Sequence, residues 1–191
     1  MSFLKQLYYC YLSKPASNRL YYRMATQYEV KSVIEIGMTS LERSCRFIEI
    51  AHRFVEEPIQ YCGIDMFEAG DQGQSKIGLK MAHVELKQTG AKVKLMPGDP
   101  FSCLSRSANL LSGADLLIIG GNVDAESMSR SWFYLPRLIH DESLVLIETM
   151  QDGQSVVEEW DYDQVMAKSE SSLSLGSKSY ENSQIATRKA A

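Results

Sequence analysis

The chain has 191 residues, of which 45% are hydrophobic and 23% charged. That length suits one domain of about 100–200 residues, and the composition excludes a disordered or collagen-like chain. A net charge of −4 argues against a non-specific nucleic-acid binder, which needs a cationic surface.

Residues 1–30 form an N-terminal helical segment with an aromatic set, Tyr8, Tyr9, Tyr11, Tyr21 and Tyr22. Its apolar start, Phe3 to Leu12, is too short and too interrupted to span a membrane, and no small-residue cleavage site follows. The tyrosines line a pocket, or pack against the sheet or a dimer partner, so a homo-oligomer stays open. Cys10, Cys45, Cys62 and Cys103 show no CxxC and no metal-type spacing. They read as free buried thiols of a reducing compartment, which suits a cytoplasmic protein without membrane or nucleic-acid partners.

Residues 31–150 carry five short apolar runs, Ser32–Ile36, Gln60–Ile64, Lys92–Met96, Asp115–Ile119 and Leu144–Ile147. Most are apolar nearly throughout, as strands covered on both faces are. Helical patterns fill the gaps. Leu41, Cys45 and Ile48 recur at helical spacing behind a capping box of Thr39 and Glu42. A second helix runs from Ser75 to Thr89 and stops at Gly90. A third starts at Asp99-Pro100, an N-cap followed by proline. A fourth starts near Asp124, carries Met128, Trp132 and Leu135, and is disrupted at Pro136. This alternation predicts an α/β fold: a doubly wound, mostly parallel sheet with helices on both faces. Residues 151–191 are expected to be reduced, with a helix over Ser155–Met166, one poor edge strand at Gln184–Arg188 and a flexible tail from Ser169.

In such sheets ligands sit beyond the carboxyl ends of the strands. The first strand exits through Glu35-Ile36-Gly37-Met38-Thr39, either a tight turn or a backbone approach for an anion at a helix N-terminus. The second ends at Ile64-Asp65-Met66-Phe67, where Asp65 is a ribose acceptor or a solvated cap. It follows Gly37 by 28 residues, against about 20 in the dinucleotide fingerprint. Gly98-Asp99-Pro100 follows the third strand and Gly120-Gly121-Asn122-Val123-Asp124 the fourth. Glu148 ends the fifth, facing either the cleft or water. His52 and His83 lie in helices and His140 in a turn before the fifth strand. No metal-ligand spacing, nucleophile elbow or phosphate loop is present.

Val33-Ile34-Glu35-Ile36-Gly37, Ile64-Asp65, Gly98-Asp99 and Asp115-Leu116-Leu117-Ile118-Ile119-Gly120-Gly121, in that order, resemble the motifs of class I S-adenosylmethionine-dependent methyltransferases over residues 28–150. The resemblance implies a Rossmann-like methyltransferase fold that binds S-adenosylmethionine and methylates a small molecule. It places Glu35, Gly37, Met38 and Thr39 near the methionine part of the cofactor and Asp65 at the ribose. Met66, Phe67, Gly98, Asp99 and Pro100 lie at the adenine and Gly120 at the fourth strand's exit. The chain departs from the family in having no second glycine after Gly37. It also lacks an aspartate for a catechol-type metal site at the end of the fourth strand. No catalytic base is carried over, and no metal is expected. The alternative is the same fold kept as a non-catalytic binding or assembly module. A nicotinamide-dinucleotide protein is disfavoured because G-x-G-x-x-G is absent.

Overall fold

The computed structural model describes residues 2–69 and 77–172. Two helices, α1 (Phe3–Tyr11) and α2 (Asn18–Gln27), lead into β1 (Ser32–Ile36). There follow α3 (Leu41–Ala51), β2 (Gln60–Asp65), α4 (Leu79–Gln88), β3 (Lys92–Pro97), α5 (Pro100–Ser107) and β4 (Ala114–Ile119). Then come α6 (Ala125–Ser131), β5 (Ile139–Gln151), β6 (Gln154–Trp160) and a last helix, α7, over residues 162–172. The sheet order is β3-β2-β1-β4-β5-β6. β1 to β5 are parallel, and β6 pairs antiparallel with β5.

Side chains alternate across a strand, and here both faces are apolar. Val33, Leu116 and Ile118 pack with Met24, Phe47 and Ile48 on the side of α1 to α4. Ile34, Ile36, Leu117 and Ile119 pack with Leu104, Met128 and Leu135 on the side of α5 and α6. Burial on two faces explains why these strands are continuous apolar runs. The connections change sides between β1 and β4, so that pair is the switch point where such sheets place ligands.

Local chemistry sets the helix starts. Asp99 accepts from the Ser102 amide at 2.9 Å, and Asp124 accepts from the Ser127 amide at 2.7 Å. The capping box expected at Thr39 is displaced by one residue. Ser40 caps α3 by accepting from the Arg43 amide, while the Thr39 hydroxyl donates to Glu148. α4 begins at Leu79, and the expected helix start at Ser75 lies outside the described residues.

The C-terminal expectation is corrected. Residues 155–160 belong to β6, not to a helix. The turn Gln151-Asp152-Gly153-Gln154 carries positive φ at Asp152 (49°) and Gly153 (76°). Two such residues make the tight hairpin turn favoured by Asp-Gly. α7 follows and runs past Ser169, where a flexible tail was expected. The expected edge strand at Gln184–Arg188 lies outside the described residues. β5 also begins earlier than expected. His140 lies within it rather than in a turn, and the pairing with β4 shifts register between Ala114 and Leu116.

The cysteines are free; Cys10, Cys62 and Cys103 are buried and Cys45 is half-buried. Among the described residues no helix is long and apolar enough to cross a membrane.

Candidate functional site

A cavity of about 280 Å³ opens at the carboxyl edge of the sheet. Gly37, Asp65, Met66, Gly98, Asp99 and Pro100 line it from the exits of β1, β2 and β3. Asn122 and Val123 close it from the β4–α6 connection and Ser127 from the first turn of α6.

Asp65 organises this edge. Its carboxylate accepts from the Met38 amide at 2.7 Å, from the Phe67 amide at 2.7 Å and from Asn122 Nδ2 at 3.4 Å. The residue is 5% exposed. A carboxylate offers about four lone-pair sites, so one acceptor position remains on a side chain that lines the cavity. Asp99 serves twice, capping α5 and accepting from the Ser127 hydroxyl at 3.0 Å. The hydrogen bonds from Ser102, reinforced by that of Ser127, hold its carboxyl below the usual carboxylate range.

The switch point itself is closed. A β-carbon on Gly120 would lie 2.0 Å from the Gly37 carbonyl oxygen. One on Gly37, whose φ is +79°, would lie 2.3 Å from Val123 Cγ2 and 2.6 Å from Asn122 Oδ1. Glycine is therefore required at both positions for the strand exits to touch. Asn122 Oδ1 is buried there with no hydrogen-bond partner among the described residues.

Beside the cavity a charged cluster is sealed inside the protein. Arg43 reaches Glu35 at 2.8 Å and Glu148 at 3.1 Å, with side-chain exposures of 2%, 0% and 7% for the three. Ser44 and Tyr61 donate to Glu35 at 2.7 and 2.5 Å. Thr39 and Ser155 donate to Glu148 at 2.9 and 2.5 Å. The Tyr21 ring covers the guanidinium at 4.2 Å. Burial alone pushes the Glu148 carboxyl up, but Arg43 and the two hydroxyls outweigh it and hold the carboxyl below its usual value. Burial likewise pushes the Tyr61 hydroxyl well above its ordinary range.

Of the residues expected at the site, Gly37, Asp65, Met66, Gly98, Asp99 and Pro100 meet at the cavity. Five do not line it. Glu35 points to the opposite face, into the charged cluster. Met38 is fully buried and offers only its amide. The Thr39 hydroxyl is held by Glu148. Phe67 is buried with φ +49° and contributes its amide to Asp65. Gly120 borders a second hollow over β5 and β6. Glu148 is buried and ion-paired with Arg43, and it lines that hollow. Sequence reasoning missed Arg43 and Ser127, and named Val123 only as part of the fourth strand's exit. A single basic residue on a helix and a hydroxyl in a helix start carry no signal of their own. Among the described residues no group of three or more His, Cys, Asp or Glu is placed to hold a metal ion.

No protein-family profile matches the sequence, and no curated protein matches it significantly. Solved structures do. The O-methyltransferase TomG of Streptomyces achromogenes, solved in complex with S-adenosylmethionine, superimposes with a TM-score of 0.51. It is 13% identical, over 72% of this chain and 56% of that one. The fold is that of class I S-adenosylmethionine-dependent methyltransferases.

Two further solved structures are similar over comparable lengths. One is an S-adenosylmethionine-dependent methyltransferase from Archaeoglobus fulgidus, with a TM-score of 0.48 at 14% identity over 79% of this chain and 60% of that one. The other is a precorrin-6y C5,15-methyltransferase from Geobacter metallireducens, with a TM-score of 0.49 at 13% identity over 74% and 65%. The present chain thus spans about three fifths of the length of these structures.

Proposed function

We propose that the chain binds S-adenosylmethionine through the cavity at the edge of β1 to β3 and methylates a small molecule. The observation that carries this reading is the convergence of Gly37, Asp65, Met66, Gly98, Asp99 and Pro100 on one cavity of a methyltransferase fold. The residues present fit the adenosine portion. The volume of about 280 Å³ is near the lower end of small-molecule sites, about 300 Å³. Asp65 keeps one acceptor position for a ribose hydroxyl. When bound, S-adenosylmethionine supplies a methyl group on a sulfonium, open to in-line displacement. The chain's own contribution is then orientation, which supplies much of the rate in such a step. Asp65 and its amide partners fix the ribose end. Val123 must turn aside from Gly37 before the methionine portion passes over that turn.

A second reading has a specific observation in its favour. Val123 already covers Gly37, as it would in a non-catalytic module that keeps the fold for binding or assembly.

Calorimetric titration with S-adenosylmethionine, S-adenosylhomocysteine and adenosine separates the two. Saturable binding, lost in Ala69→Phe, which narrows the cavity from an exposed position, is the expected result. No heat and no ligand-induced rise in Tm with any of the three would overturn the proposal in favour of the module.

A further inference from the structure

The hollow beyond Val123 is twice as large as the cavity, about 560 Å³. It lies over the C-terminal half of β5 and the facing end of β6, bordered by α6 and α7. Val123 lines both spaces and is the wall between them.

Its chemistry is uneven in an informative way. Trp132 and Trp160 stack at one side, with centroids 5.6 Å apart and planes inclined by 27°. Met128 and Met150 add polarizable thioethers, and Met150 is 61% exposed. A flat π-face beside thioethers favours aromatic ligands, since both stacking and sulfur contacts favour rings. Lys168 lies 5.9 Å from the centre of the Trp132 ring and pairs with no carboxylate among the described residues. Two acids also border the space. Glu148 is buried and shares Arg43 with Glu35, and Glu158 accepts from Trp160 Nε1 at 3.3 Å. Thr149 adds a buried hydroxyl with no hydrogen-bond partner among the described residues.

We infer that this hollow binds a flat aromatic molecule carrying an anionic group, with the ring against the tryptophan pair and the anion at Lys168. The inference rests on the function proposed above only in naming that molecule as the substrate; the ligand class follows from the hollow itself. Val123 then stands between substrate and cofactor.

The test uses the chain's own fluorescence, because both of its tryptophans border the hollow. The full chain is titrated with 4-hydroxybenzoate, its neutral amide and cyclohexanecarboxylate, with excitation at the red edge and inner-filter correction. Saturable quenching by 4-hydroxybenzoate, at least fivefold tighter than by either analogue, is expected. Lys168→Met should weaken it at least fivefold, and Lys168→Arg should restore most of it. No saturable response, or equal affinity for the benzoate and its amide, overturns the inference, as does an unchanged Lys168→Met variant. Quenching that persists when calorimetry finds no S-adenosylmethionine binding removes the methyltransferase reading alone. Cofactor binding without quenching removes this inference alone.

Discussion

Val123 Cγ2 sits where a β-carbon on Gly37 would have to go, at 2.3 Å from that position. One side chain from the β4 exit thereby occupies the turn of β1, and it also divides the two open spaces of the sheet edge. The wild-type cavity should therefore distinguish poorly between adenosine and S-adenosylhomocysteine. Val123→Ala should raise the preference for S-adenosylhomocysteine about tenfold, equivalent to about 1.4 kcal/mol. Calorimetry with the two ligands measures the ratio, and an unchanged ratio would show that Val123 is no barrier.

Three glycines form a graded series. Gly113 has φ +78° with open space around it, Gly37 has φ +79° with Val123 in the way, and Gly120 abuts backbone. Gly113→Ala carries backbone strain alone, about 1–2 kcal/mol. Gly37→Ala adds a clash with side chains and Gly120→Ala meets a carbonyl oxygen, so each should lose at least about 3 kcal/mol. Urea denaturation gives the order, and equal losses at all three would mean the strand exits relax freely.

Arg43 lies between two buried carboxylates. Removing one member of a buried pair leaves an uncompensated charge, at a cost of about 3–5 kcal/mol. Arg43→Met should show a loss of that size although it lines neither open space. A loss below about 1 kcal/mol, the range of exposed pairs, would mean that water reaches the cluster.

Acid should act through Glu148. Its folded carboxyl titrates below the ordinary value of 4.5, because Arg43 and two hydroxyls overcome the effect of burial. A depressed carboxyl contributes stability that is complete above the unfolded value and disappears as pH falls through the folded one. The stability gap between the wild type and Glu148→Gln should therefore be full at pH 5–7 and shrink below about pH 4.5. Asp99 and Asp115 are also depressed, but they are common to both proteins and cancel in the difference. A gap constant from pH 7 to pH 3 would contradict the assignment.

The parallel sheet was readable because burial on both faces writes its strands as uninterrupted Val, Ile and Leu. The Asp99-Pro100 start was readable because a cap and a helix-compatible proline coincide. Thr39 misled because Ser40, one residue later, competes for the same cap. The β5–β6 hairpin carried a legible Asp152-Gly153 turn, but Ser, Gln and Glu on an edge strand dilute the apolar alternation that marks strands. At the site, the positions of Gly37, Asp65 and Asp99 followed from strand ends. What Asp65 bonds to did not, because backbone amides leave no mark in sequence. Glu35 and Glu148 looked like cleft acids for a related reason. Their partner Arg43 reaches them only through the three-dimensional packing of α3 against β1 and β5.

The charged cluster also constrains the order in which the molecule can be assembled. Glu35 and Arg43 are neighbours in sequence, while Glu148 and Ser155 lie more than 100 residues further on. A chain emerging from its N-terminus holds the first half of the cluster long before the second exists. Closing so long a loop is entropically costly and slow. Until β5 docks and β6 folds back, Arg43 and Thr39 lack their distant partner. The sheet's innermost charges are therefore completed only when β5 and β6, the strands furthest along the sequence from Arg43, reach it.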